Sequence, residues 1–153
     1  MTILKKILLG VLVLFIAIQL IRPSKNISSG PSVNGIEKFY NVPADVRTVL
    51  KRSCYDCHSN NTYYPWYNTI QPVAWLLAHD VNEGKEHLNF DEFNTYSTNR
   101  KQHKLSDLVD EIKEDEMPMG IYTMIHRDAV LSAAEKQRLI GWADSLSRSF
   151  GVR

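Results

Sequence analysis

The sequence is short of several features that mark other classes of protein. Its 153 residues include only seven glycines and six prolines, which excludes collagen and low-complexity disorder. It shows no internal repeat, no heptad run and no alternating polar and apolar stretch of strand length. Its 18 basic and 17 acidic residues nearly balance, and without the four cations of the first 25 residues the remainder carries 14 − 17, or −3. A mildly acidic body lacks the basic stripe that nucleic-acid binding needs, so we expect no nucleic-acid partner.

The one long hydrophobic run lies at the N-terminus. Residues 7–21 carry no charge and follow Lys5 and Lys6. At roughly 1.5 Å per residue the run extends about 22 Å, and the aliphatic stems of the lysines bring the segment close to the ~30 Å hydrocarbon core of a bilayer. We therefore predict an uncleaved transmembrane helix over residues 1–22. It would hold the chain in the inner (cytoplasmic) membrane by a single pass, with the remaining domain in the periplasm. A cleaved signal peptide is the alternative interpretation.

The rest of the chain divides into a linker and one folded domain. Residues 23–35 are rich in Ser, Pro, Gly and Asn and poor in apolar residues, which predicts a tether. In residues 36–153 apolar residues recur at helical spacing, which predicts an all-α domain. Four helices are expected: one from Pro43 to Ser53, one from Pro72 to a cap at Gly84, one through Leu105 and Ile112 that stops at Pro118, and one that begins with a capping box at Ser132 and Glu135.

The cysteines carry the functional argument. The chain has only two, Cys54 and Cys57, and His58 follows the second directly. CxxCH is the spacing of covalent c-type haem attachment, because thiols three residues apart in one helical turn face the same side and the next imidazole can reach the iron. A redox dithiol, a structural disulfide and a zinc site are the alternatives, although zinc would need further ligands. We predict one covalent haem c, with all three residues binding the cofactor and His58 ligating its iron.

Six-coordinate haem iron needs a second axial ligand. Met117 follows the third predicted helix and precedes Pro118, which ends the helix and fixes a loop. It lies 59 residues after His58, enough chain to pass around the edge of a porphyrin. We therefore predict Met117 as the second metal ligand and as a cofactor-binding residue. The alternatives are Met119, an open site, methionines that only fill the pocket wall, or one of the histidines His79, His87, His103 and His126.

Five stretches carry a resemblance to known proteins. They are CYDCHSNNTYYPWYNTIQPVAW, HDVNEGKEHLNFDEF, EMP, IYTMIH and LSAAEKQRLIGWA. Their order resembles class I cytochromes c and, over Val42 to about Leu146, the bacterial haem-binding domain family with a single CxxCH. The resemblance implies one covalent haem c on a largely helical, cytochrome c-like and often membrane-anchored domain. It places Met117 at the distal position, and it implies that a proline carbonyl, from Pro72 or the neighbouring backbone, accepts the proximal imidazole N–H.

These residues together predict a membrane-anchored periplasmic electron carrier with one covalent haem and no catalytic residue. Its expected partners are haem, the c-type cytochrome maturation machinery, and a periplasmic or membrane redox protein. The alternative is a haem-based small-molecule sensor or a peroxidase-like protein with a displaceable distal ligand, for which His126 and Arg127 form the local pair. Five aromatic residues after His58 are expected either to wall the haem or to pack in the core: Tyr63, Tyr64, Trp66, Tyr67 and Trp75.

Overall fold

A computed structural model describes residues 2–151. Within these residues there are eight α-helices, three 3₁₀ segments and no β-strand apart from one isolated bridge, so the all-α prediction is confirmed. The α-helices are α1 (Ile3–Ile18), α2 (Ile36–Phe39), α3 (Ala44–Ser53), α4 (Tyr55–His58), α5 (Val73–His87), α6 (Thr98–Lys113), α7 (Gly120–Ile125) and α8 (Ala133–Ser149). The 3₁₀ segments are Trp66–Thr69, Phe90–Thr95 and Arg127–Ala129.

The N-terminal helix is shorter than predicted. α1 has 16 residues, about 24 Å at the usual helical rise. It ends where Gln19 pairs with the backbone of Gln71: the Gln71 N–H donates to the Gln19 side chain at 2.9 Å, and that side chain donates to the Gln71 carbonyl at 3.3 Å. The carbonyl of Ile21 accepts from the Gln71 side chain at 2.7 Å and from the Trp75 indole at 3.1 Å. Residues expected to complete the span thus bind the folded domain instead.

That difference corrects the predicted location. In the described part of the chain, no helix has both the length and the apolar character needed to cross a membrane. The predicted transmembrane anchor over residues 1–22, and the single-pass inner-membrane location that rested on it, are therefore wrong.

The segment after α1 lies along the loop that follows α4. The side-chain amide of Asn26 donates to the carbonyl of Ser59 and to the hydroxyl of Thr62, both at 2.9 Å. In return the Thr62 N–H donates to the Asn26 carbonyl at 3.0 Å. The low apolar content of residues 23–35 fits these contacts, which are hydrogen bonds rather than hydrophobic packing. The boundaries proposed for the linker and the domain stay a prediction.

The local signals for α3 and α8 are confirmed. Pro43 stands at the N-cap of α3, which ends at Ser53 as expected. Ser132 and Glu135 form both hydrogen bonds of the capping box at the start of α8. Two other ends differ: α5 continues past Gly84 to His87, and α6 ends at Lys113, well before Pro118.

The core is formed where α3, α6 and α8 pack together, and it positions the site. Leu50, Leu105 and Leu139, one from each helix, are at most 1% exposed, as is Phe93 of the second 3₁₀ segment. α4 follows α3 after one residue and packs against α5. The CxxCH turn is thereby held between the rigid core and the long helix α5.

Candidate haem-binding site

A cavity of about 350 Å³ opens beside the CxxCH turn. Residues of α4, α5 and α6 and of the chain from Met117 to Tyr122 line it. Much of its wall is apolar, with side chains that exclude water: Leu88, Phe90, Leu108, Ile112, Leu131 and Leu139. Its size and lining suit a bulky apolar cofactor with polar groups at a few places.

The structure brings the four predicted site residues together. Cys54, Cys57, His58 and Met117 all line this cavity. Cys54 stands at the N-cap of α4, and its carbonyl accepts the His58 N–H at 2.9 Å, so the motif forms one helical turn. Both cysteines are free, and burial raises the pKa of each thiol to about 12. Both therefore stay protonated near neutral pH.

The imidazole of His58 is oriented by the backbone. Its Nδ1–H donates to the carbonyl of Leu88 at 2.9 Å, the residue that follows α5. The expected acceptor, the carbonyl of Pro72 or of the neighbouring backbone, is wrong, because Leu88 fills this role and the Pro72 carbonyl accepts from Trp75 at the first turn of α5. With its proton on Nδ1, the ring presents the Nε2 lone pair, and burial lowers the pKa of His58. The ring is thus held as a neutral imidazole, the form that binds a metal.

Gly84 permits α5 to approach the motif closely. A Cβ at this position would lie 2.9 Å from the Cys57 carbonyl oxygen and 3.1 Å from the Cys57 Cβ. Both atoms are too near to be accommodated without a shift of the backbone. The sequence pattern predicts that Gly84 caps the end of the helix. In the structure Gly84 lies within α5, where the close contact with Cys57 leaves no room for a side chain.

The methionines lie on a loop that turns back to α6. The N–H groups of Glu116 and Met117 both donate to the carbonyl of Glu111, at 3.0 and 3.2 Å. Asp115 has a positive φ of 62°, which allows the chain to reverse after the helix. Met119 lines the cavity together with Met117.

The histidines other than His58 take different places. His87 lines the cavity. The side chain of His79 is 63% exposed and lies 3.5 Å from Glu83 on α5. His103 pairs with Asp107 on α6 at 2.7 Å. His126 lies outside the cavity lining, where it contacts two tyrosines, and its neighbour Arg127 is exposed.

Of the two expectations for the aromatic run, the haem wall is wrong. Tyr63 and Trp66 are 75% and 77% exposed, and no residue of the run from Tyr63 to Trp75 is among those that line the cavity. The run leads away from α4 toward the start of α5, where Trp75 binds the Ile21 carbonyl. The phenyl and phenol rings in the wall belong to Phe90 and Tyr122.

Sequence reasoning missed several residues of this cavity. Ser53 is 7% exposed and lines it, and its hydroxyl has no hydrogen-bond partner among the described residues. Lys104 also lines it and is only 8% exposed. Its ammonium group contacts the carbonyls of Glu86 and His87, and burial lowers its pKa. The signal for Lys104 was present in the sequence, because it lies one turn before Leu108 on the apolar stripe of α6.

The donor set fits a haem. Two thiols, an imidazole with its Nε2 lone pair, two thioethers and apolar walls face one cavity. Ser53 adds a buried hydroxyl that has no partner in the described residues and can serve a polar edge of a bound group. A zinc site is not favoured, since no group of three His, Cys, Asp or Glu side chains in residues 2–151 is placed to hold a metal ion.

Comparison with known proteins agrees with this assignment. No curated protein and no solved structure matches the chain. Among protein families, the haem-binding domain matches residues 13–145, which is 133 of 153 residues. Because the match spans most of the chain and includes every residue of the cavity, the protein belongs to the haem-binding domain family and is a haem-binding protein.

Proposed function

We propose that this protein holds one haem covalently, in a cytochrome c-like arrangement, and transfers single electrons. The observation that carries the proposal is that one cavity is lined by both thiols of the CxxCH motif, by His58 and by Met117. When bound, the haem supplies reversible one-electron oxidation and reduction at its iron.

Different residues of the chain would bind the porphyrin and the iron of the haem. Cys54 and Cys57 would anchor the porphyrin by thioether bonds, and His58 would bind the iron through Nε2. The Leu88 carbonyl fixes the orientation of the His58 ring and increases its basicity. A buried neutral imidazole needs no deprotonation before it binds.

Met117, which lines the same cavity, would supply a second ligand to the iron. A thioether ligand favours the reduced iron and raises the reduction potential. The apolar walls around it exclude water, which lowers the reorganisation that accompanies a change of charge. These properties suit an electron carrier.

A small-molecule sensor is the second candidate, and one observation favours it. α7 follows the methionine loop and buries no residue. A distal ligand on a weakly packed segment can leave and admit another molecule. The peroxidase variant of this idea has less support, because His126 is held outside the cavity lining by Tyr67 and Tyr122.

Covalent attachment is tested by expressing the full chain together with c-type cytochrome maturation machinery. We expect intact mass to rise by one haem, and the pigment to stay with the chain on a denaturing gel. The double variant of Cys54→Ala and Cys57→Ala should lose covalent pigment, whereas His103→Ala, on the exposed face of α6, should keep it. A wild-type chain of unmodified mass would overturn the proposal.

The distal ligand is tested with the matched pair Met117→Ala and Met119→Ala. Met117→Ala should abolish the weak long-wavelength absorption band of the oxidised, methionine-ligated protein and lower the reduction potential. Met119→Ala should retain both properties. If the effects are reversed, Met119 is the ligand. Carbon monoxide binding by the wild type without a delay for ligand release would favour the sensor over the carrier.

A further inference from the structure

α7 has no hydrophobic anchor in the domain. None of its six residues is buried. Its apolar side chains point outward instead: Ile121, Met124 and Ile125 are 55%, 69% and 61% exposed. Apolar burial is the main force that fixes a short helix against its domain. The position of α7 must therefore depend on other contacts.

The first of these contacts joins two residues that line the cavity. The Tyr122 hydroxyl donates to Oδ2 of Asp56 at 2.9 Å, and both residues line the cavity. Asp56 stands between the two cysteines of the motif. Its other carboxylate oxygen accepts the Tyr63 N–H at 3.0 Å, so the acceptor is itself held in place. This bond ties α7 to the CxxCH turn.

The second contact lies at the end of α7. His126, directly after the helix, forms a 2.6 Å hydrogen bond between Nε2 and the Tyr67 hydroxyl. Its ring stacks on Tyr122 with centroids 4.3 Å apart and planes at 17°. Tyr67 belongs to the 3₁₀ segment that follows the motif loop. The two ties thus support each other through the stacked rings.

At its other end the segment is joined to α6. The Met117 N–H donates to the Glu111 carbonyl at 3.2 Å. Residues 117–126 are therefore held at α6 on one side and by Asp56 and Tyr67 on the other. Within this span α7 contributes no buried residue.

We propose that residues 117–126 form a lid over the cavity, and that Tyr122, through its bond to Asp56, is the positioning residue that keeps the lid closed and the Met117 side chain in place. When this bond opens, the Met117 side chain is released and a small neutral molecule such as carbon monoxide can take its place. The consequence for ligand access rests on the proposed function of Met117, whereas the lid itself does not.

The hydrogen bond between Tyr122 and Asp56 is strong enough to control the equilibrium between the closed and the open lid. Its acceptor is a carboxylate, and hydrogen bonds to charged groups are stronger than those between neutral groups. Burial and the Asp56 carboxylate raise the pKa of Tyr122, so its hydroxyl stays a donor at neutral pH. Loss of one such bond is expected to raise the population of the open lid about ten-fold.

The test compares Tyr122→Phe with Tyr63→Phe. Tyr63 is 75% exposed and contacts Asp56 only through its backbone N–H, which the substitution retains. The first measurement is amide hydrogen exchange over residues 117–126. Tyr122→Phe should speed exchange there about ten-fold and leave α8 unchanged, while Tyr63→Phe should match the wild type. Unchanged exchange in Tyr122→Phe would overturn the lid, whether or not haem is attached.

The second measurement is carbon monoxide binding by the reduced, haem-loaded chain. Tyr122→Phe should bind about ten-fold faster than the wild type and show a weaker methionine absorption band. In a Met117→Ala background, adding Tyr122→Phe should change the rate little, because the ligand that the lid positions is already absent. Faster exchange without faster binding would overturn the positioning role. Absence of covalent haem would instead count against the proposed function.

Discussion

A single hydrogen bond from His58 to a backbone carbonyl determines how the proximal imidazole is presented. The acceptor is the backbone carbonyl of Leu88, so substituting the Leu88 side chain does not remove this acceptor. Its position depends on how closely α5 approaches the CxxCH turn. That distance is set by Gly84, where the backbone of Cys57 occupies the space of a Cβ. Gly84 is therefore the residue through which the His58 geometry can be tested.

Gly84→Ala should disturb the site and the fold together. The added methyl group would force α5 and Cys57 apart, and such overpacking typically costs about 1–3 kcal/mol of unfolding free energy. We expect a lower urea midpoint and a smaller yield of covalent haem. Gly141→Ala is the matched control, because nothing lies within 4 Å of its Cβ and alanine favours a helix by up to about 1 kcal/mol. Equal stability of the two variants would contradict the packing argument.

Between elements, one of the carboxylates that join α8 to α3 has two roles. Glu135 accepts the Ser132 N–H at 2.8 Å in the capping box and pairs with Arg52 of α3 at 2.8 Å. Its hydrogen bonds to Ser132 and to Arg52 lower its pKa to about 2. Folding therefore favours the ionised form of this side chain.

This carboxylate predicts a dependence of stability on pH. The pKa of Glu135 is about 2 in the folded chain, and its ordinary value is 4.5. Between pH 2 and pH 4.5 this side chain therefore binds more protons in the unfolded chain than in the folded chain. Its contribution is complete above pH 4.5 and is lost as the pH falls toward 2. In urea titrations at several pH values, Glu135→Gln should flatten that part of the wild-type decline. Glu86→Gln removes one exposed carboxylate of α5 and should retain the wild-type slope.

The elements also show which parts of the fold could be predicted from the sequence. The starts of α3 and α8 could be predicted, because Pro43 and the Ser132–Glu135 pair are signals contained within a few residues. The end of α1 could not, since Gln19 binds Gln71, a residue 52 positions away. Hydrophobicity alone extended that helix too far. A run of apolar residues does not indicate whether the polar side chain that follows it will form hydrogen bonds with a distant part of the backbone.

The same distinction holds for the site. Cys54, Cys57 and His58 are adjacent in sequence and chemically specific, so the motif alone could place them in one turn. The acceptor for His58 could not be identified, because a backbone carbonyl has no signature in the sequence. Nor could Tyr122, whose role depends on a contact with Asp56 across 66 positions. Contacts of that range arise from the tertiary fold.

For the whole molecule, the net charge of +1 conceals an uneven distribution. Among the described residues that line the cavity there is one lysine, Lys104, whose charge faces the carbonyls at the end of α5. The lining contains five carboxylates: Asp56, Asp80, Glu83, Asp107 and Glu111. The field at the cavity is therefore negative, and it should attract cations and repel anions over about one Debye length.

This field predicts how the reduced, haem-loaded protein exchanges electrons with small reagents. Oxidation by tris(phenanthroline)cobalt(III), a cation, should slow as salt is added, whereas oxidation by hexacyanoferrate(III), an anion, should accelerate. Glu111→Gln should reduce the preference for the cation by about two- to ten-fold at low salt. Asp110→Asn changes the preceding residue of α6, which does not line the cavity, and should have a smaller effect. Equal effects of the two substitutions would mean that the overall charge, rather than the carboxylates of the cavity, steers the reagent.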